Sequence, residues 1–176
     1  MRSRYTIKEP GGIYFITCTV VNWIPLLTRK PYFDILLDSL QFCRQDKGLK
    51  IYAWVILDNH LHLVVGGDRL TDTIRDFKSH TAKRIIAQLE LEQKSWVLNQ
   101  LQYYKKSFKT RSDYQVWQEG FHPQDITSEE MLYQKTVYLH ENPVRIGVVE
   151  EPEHWVYSSA RDYAGEKGIM ELDDFD

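Results

Sequence analysis

Cysteine is scarce in this chain. Two stand among 176 residues, Cys18 and Cys43, and neither belongs to a CxxC pair. No disulfide framework is expected, and a reducing cytoplasm is the natural compartment. Long apolar runs are missing as well. None approaches the roughly 18–20 residues that a membrane span needs, so no membrane partner is expected. The opening residues, MRSRYTIKEPGG, hold no apolar stretch of the kind a signal peptide carries. There is no Walker-type glycine loop, which excludes the usual cradle for a nucleoside triphosphate. No internal repeat and no Pro/Gly/Ser-rich linker divides the chain, and its length suits one domain.

What is present supports a folded protein. Hydrophobic residues make up 43% and charged residues 27%, enough for a core and a soluble surface. The formal net charge of -3 argues by itself against a nucleic-acid partner, but it hides a segregation. From Arg75 to Arg111 nine Lys or Arg stand with three acids, a net of +6; from Glu150 to Asp176 the net is -7. A basic stretch attracts phosphates by releasing their counterions; as helix faces, the same residues are simply solvated. The C-terminal tail, residues 166–176 and ending in GIMELDDFD, reads as a mobile acidic end able to shield that basic surface.

Gly11-Gly12 opens IYFITCTVV (13–21), a β-branched and aromatic run that predicts a strand. Pro31 stands in a helix first turn, YFDILLDSLQFCRQ has helical spacing, and Gly48 closes the helix. IYAWVIL (51–57) and HLHLVVG (60–66) predict two more strands, joined by Asp58-Asn59 as a two-residue hairpin. Residues 70 to about 91 are helical in pattern, with Thr71 or Asp72 as cap, while 93–116 are ambiguous. Thr127 and Glu130 predict a capping box, and the helix EEMLYQKTVYLHE ends against Asn142-Pro143. The order β-α-β-β-α plus a later helix predicts an α+β fold: one antiparallel sheet with helices packed on one face.

Two patterns carry chemistry. In His60-Leu61-His62 the imidazoles share one strand face, and Leu61, Leu63 and Val65 point to the other. Such a pair either begins a divalent-ion site, which then needs a third ligand, or is simply exposed or hydrogen-bonded. Gln134, Tyr138 and Asn142 lie on one stripe of the last helix, beside a more apolar stripe of Leu132, Thr136 and Leu139. Asn142 is either a ligand near Tyr138 or a helix C-cap before Pro143.

The segments DNHLHLVV, FKSHTAKRI, VWQEGFH and VYLHENPVRIGVVEEPEHWVYSSA resemble, in that order, the signature blocks of single-tyrosine HUH transposases. The nearest branch in pattern is the REP-associated tyrosine transposases, also called IS200-like transposase domains, and the resemblance runs from Gly11 to Tyr163. It implies an RRM/ferredoxin-like antiparallel sheet in residues 1–165. It implies Mg2+ or Mn2+ held by His60, His62 and Asn142, with Tyr138 as nucleophile. The implied activity is cutting and rejoining single-stranded DNA beside hairpins or palindromic repeats, through a 5′-phosphotyrosine link that leaves a 3′-OH. The implied setting is the cytoplasm, at the nucleoid, as monomer or homodimer. Several positions depart from the family pattern: Asp58 replaces a proline, His80 a tyrosine, and Pro123-Gln124 an Asp-His pair.

DNA contacts are expected from Lys78, Lys83, Arg84, Lys105, Lys106, Lys109, Arg111 and Arg145. Tyr103, Tyr104, Phe108 and Tyr114 are interleaved with them, a composition that suits splayed bases. The alternative reading is a domesticated module that binds DNA or RNA hairpins without cutting. A histidine-triad nucleotide hydrolase is a poor third, because the next residue on the histidine face is Val64.

Overall fold

The computed structural model describes residues 6–175. Its elements in chain order are β1 (Ile13–Thr19), α1 (Lys30–Lys47), β2 (Lys50–Ile56), β3 (His60–Gly66), α2 (Leu70–Leu91), α3 (Ser95–Tyr103), β4 (Gln124–Asp125), α4 (Glu129–Arg145) and the short α5 (Ala160–Tyr163). The strands form one antiparallel sheet in the order β2-β3-β1-β4, which places the histidine strand centrally between β1 and β2.

Alternation divides the sheet into two faces. On one, Tyr14, Ile16, Cys18, Ile51, Trp54, Ile56, Leu61, Leu63 and Val65 are buried in the main core with residues of α1, α2 and α3. On the other, Phe15, Ala53, Val55 and Val64 form a smaller cluster that takes Leu139 from α4. The expected α+β architecture with one antiparallel sheet thus forms, but the helices are not confined to one face as expected. α1 to α3 cover one face and α4 packs on the opposite one, because Phe15, Ala53, Val55 and Val64 make that face apolar too. The stripe of Leu132, Thr136 and Leu139 turns inward as its spacing predicts: Thr136 and Leu139 are buried, and Leu132 packs partly against the smaller cluster.

Several local expectations need correction. α1 begins with Pro31 in its first turn and ends at Gly48, whose φ of 67° suits a residue without a Cβ. α2, however, starts at Leu70 with no side-chain cap; Asp72 instead pairs with Arg69 and Arg75. The cap of α4 is Ser128 rather than Thr127: its hydroxyl accepts from the Met131 N–H at 3.1 Å. α4 also runs through Asn142-Pro143 to Arg145. Both residues are buried, and packing of that turn overrides the local bias of proline against helix. The ambiguous 93–116 stretch resolves into α3 and turns.

The acidic tail is not a free end. Asp173 donates its N–H to the Ile51 carbonyl, and its carboxylate accepts from the Ile51 N–H and from Arg44. Glu171 also pairs with Arg44, Met170 is buried, and Phe175 stacks on Tyr52 at 4.4 Å. Further along β2, Trp54 exchanges hydrogen bonds with Ser159, and the Ile56 N–H reaches the Tyr157 carbonyl. Among the described residues no helix is long and apolar enough to cross a membrane.

Candidate functional site

The site is built on the middle of the sheet. β3 is hydrogen-bonded on both flanks, so the spacing of His60 and His62 is set by the strand pleat. Their ring centroids lie 4.7 Å apart. His62 stands opposite Thr17 of β1, and the Thr17 hydroxyl meets its Nδ1 at 2.8 Å. His60 donates from Nδ1 to the Asn59 side-chain oxygen at 2.6 Å. An amide oxygen only accepts, so the proton sits on Nδ1 and the Nε2 lone pair of His60 is left open. In each ring, then, a protein contact occupies Nδ1. Phe15 stacks on His62 at 5.1 Å and closes its inner side.

Electrostatics keep both rings neutral. Burial pushes His62 down to about 3, helped by the nearby charges of His60, Arg145 and Lys135. Burial also lowers His60, against a smaller opposing effect of Asp58. A neutral imidazole is the form that ligates a metal.

α4 brings its polar stripe over this pair. The Tyr138 ring lies 5.6 Å from His62 and 5.9 Å from Phe15, edge-on to both. It remains 44% exposed, accessible to an incoming chain. The Arg145 guanidinium lies 4.4 Å from its ring centroid and donates to the Tyr138 carbonyl at 2.7 Å. Lys135, one turn earlier, donates to Gln124 at 2.6 Å and lies 4.9 Å from the Phe15 ring centroid. Asn142, one turn later, is 8% exposed, and its Nδ2 has no hydrogen-bond partner. With no bond holding its nitrogen, the carboxamide is free to present oxygen to a ligand. By donor chemistry alone, two neutral imidazoles and a carboxamide would make a hard-to-borderline set of the kind that suits Mg2+ or Mn2+.

The basic residues expected to meet DNA divide into two groups. Lys78 is turned inward, where its ammonium is held by the carbonyls of Gln118 and Gly120. Lys105 donates to the Lys109 carbonyl at 2.6 Å, and Lys109 pairs with Glu119 at 2.5 Å. Lys83, Arg84, Lys106 and Arg111 are exposed, with Arg84 3.8 Å from Asp38. Arg145, also exposed, lies at the site itself. Tyr103 and Phe108 are exposed beside the basic group. His140 is buried, with Nε2 at 2.7 Å from the Ser159 hydroxyl, a structural role. His122 is exposed and has a φ of 45°, just before β4.

Sequence reasoning did not single out Phe15, Thr17, Asn59 or Lys135. Asn59 had a signal, since it directly precedes the histidine pair. Phe15 and Thr17 reach His62 only through the register of β1 on β3, and Lys135 only through α4's path over Phe15.

No protein-family model matches the chain. A curated REP-associated tyrosine transposase of Escherichia coli (strain K12) is 26% identical over 172 residues, covering 97% of this chain and 87% of that one. The solved structure of a REP-associated tyrosine transposase bound to a REP hairpin covers 99% of this chain and 95% of its own. It superposes with a TM-score of 0.66 at 21% identity, which shows a shared fold. Over nearly its whole length, in sequence and in fold, this chain therefore resembles the REP-associated tyrosine transposases.

Proposed function

We propose that the chain is a metal-dependent single-stranded DNA transesterase that nicks and rejoins DNA beside hairpins through a phosphotyrosine at Tyr138. The observation that carries this reading is the half-exposed Tyr138 ring set 5.6 Å from His62, itself paired with His60. Two distant stretches of the chain, β3 and α4, meet there. Hairpin DNA as partner is supported by the REP hairpin bound to the solved relative. The name of the Escherichia coli relative supports transposase-like work on DNA.

His60, His62 and Asn142 would hold the Mg2+ or Mn2+, which when bound offsets charge at the reacting phosphate. The chain's own residues do the rest. Tyr138 supplies the phenol oxygen; Arg145 over its ring and Lys135 over the neighbouring Phe15 ring offer positive charge nearby. The phenol oxygen bonds to phosphorus as the bond from phosphorus to the 3′ oxygen breaks; the phenol proton passes to water and the leaving 3′ oxygen takes one up. The product keeps a phosphodiester in the protein–DNA link, so a 3′-OH can attack it and restore Tyr138 without ATP. Such transfers need chiefly in-line positioning and charge stabilisation, which a rigid sheet and a packed helix provide.

The test is incubation of a hairpin-flanked single strand with Mn2+. A covalent adduct that survives denaturation is expected with the wild type and lost in Tyr138→Phe, with folding unchanged. If Tyr138→Phe still forms the adduct, the nucleophile is another residue. Hairpin binding that persists in EDTA, with no hairpin cut under any condition, would instead mark a binding module.

A further inference from the structure

The geometry points to Trp23 as a stacking platform for an unpaired base of the strand held at the His60–Tyr138 site. The inference rests on the DNA reading above and adds a contact to it. Beyond β1 the chain turns tightly through Val21–Trp23, and two consecutive residues adopt left-handed backbone, Asn22 at φ 51° and Trp23 at φ 49°. Large side chains rarely adopt this conformation. Strain of this kind persists only where the surroundings fix it, and it clusters at ligand-binding positions.

The surroundings here do fix it. Val21 and Ile24 are buried on either side, while Trp23 between them is 61% exposed. The Val20 N–H donates to the Asn59 carbonyl at 2.9 Å, and the Val21 N–H to the Val116 carbonyl at 2.8 Å. The Leu27 N–H reaches the Asp58 carbonyl at 2.7 Å. The loop is thus tied to the β2–β3 hairpin and to the 116–117 segment. Asn59 then joins Trp23 to the site: its Nδ2 donates to the Trp23 carbonyl at 3.3 Å, and its Oδ1 accepts from His60. One side chain fixes both the orientation of His60 and the backbone of an exposed indole.

Core packing does not account for an indole this open. A large, flat π surface on a rigid, strained loop beside a strand-cleaving site suits a base that is not paired. Every base has such a face, so the contact is sequence-tolerant. A preorganised platform also avoids the ordering cost of a mobile one.

The experiment measures binding by fluorescence anisotropy in EDTA, using DNA hairpins with short single-stranded flanks. It compares wild type, Trp23→Phe, Trp23→Ala and Trp23→Gly, and places an abasic site at each flank position in turn. Trp23→Ala should weaken binding roughly 5- to 150-fold, the range expected for one base–aromatic stack, and Trp23→Phe should keep most of the affinity. An abasic site at one flank position should weaken the wild type by a similar factor and leave Trp23→Ala no weaker. Trp23→Gly should melt at the same or a higher temperature, because glycine relieves the left-handed backbone. If the wild type binds and Trp23→Ala binds equally well, the platform is overturned while the DNA reading stands. Loss of affinity with a lower melting temperature and no coupled flank position also overturns it, since the ring is then structural. A wild type that binds no flanked hairpin overturns both readings together.

Discussion

His62 depends on Thr17. The hydroxyl at 2.8 Å fixes which nitrogen faces the protein and how the ring is turned. Partners of this kind typically contribute 10- to 100-fold to metal affinity. Thr17→Val keeps the shape and removes the contact, so Mn2+ affinity measured by calorimetry should fall by about that factor with the fold intact. Arg145 acts differently. Its planar guanidinium covers the Tyr138 ring and bonds the same residue's carbonyl. Arg145→Lys keeps the charge and loses the planar stack. Adduct formation should slow roughly 2- to 5-fold, the scale of an exposed cation–π contact, with Mn2+ affinity unchanged.

α2 carries two kinds of lysine. Lys78 holds the carbonyls of Gln118 and Gly120 and so anchors the segment leading to β4; Lys83 is solvated. Lys78→Met should leave those carbonyls short of a partner and cost about 1–3 kcal/mol of stability, measured by urea unfolding. Lys83→Ala should leave stability nearly unchanged. If Lys83 meets a phosphate, it should also reduce the salt dependence of DNA binding by about one unit of slope. The charge run from Arg75 to Arg111 showed both residues as cations and gave no sign of which one turns inward.

Periodicity made β1, α1, β2, β3 and α2 legible, because each buries one face and its apolar residues recur at that element's period. His60, His62 and Tyr138 were visible for the same reason, as same-face residues on predictable elements. The stop at Asn142-Pro143 was misread because proline's local bias is strong, whereas the burial that overrides it depends on how α4 packs against the sheet. Phe15, Thr17 and Lys135 were invisible because their roles come from pairings across the fold. His62 meets Thr17 across 45 positions of sequence, and no local rule sets that register.

At the level of the whole molecule, the buried histidines couple folding to acidity. Burial lowers His140 to about 4 and His62 to about 3. Both values lie below the unfolded value, so the native state excludes protons that the unfolded chain takes up near pH 6.5. Their contribution is fully present above pH 6.5 and is lost as pH falls through the folded values. Metal-free protein at about pH 4.5 should be less stable than near neutrality by on the order of 2–3 kcal/mol for each histidine. Urea unfolding at the two pH values measures this, and His140→Gln should flatten the dependence.

The hydrogen bonds along β2 bear on how copies of the molecule can meet. The outward groups of Ile51, Trp54 and Ile56 are already engaged by Asp173, Ser159, Tyr157 and the Trp155 indole, and the Tyr52 carbonyl by the Tyr163 hydroxyl. A second chain therefore finds no template there for adding a strand, and the far border of the sheet, at β4, offers only two residues. Growth into ribbons or fibrils by strand addition is blocked on one side and starved on the other, so any self-association has to run through helices or loops.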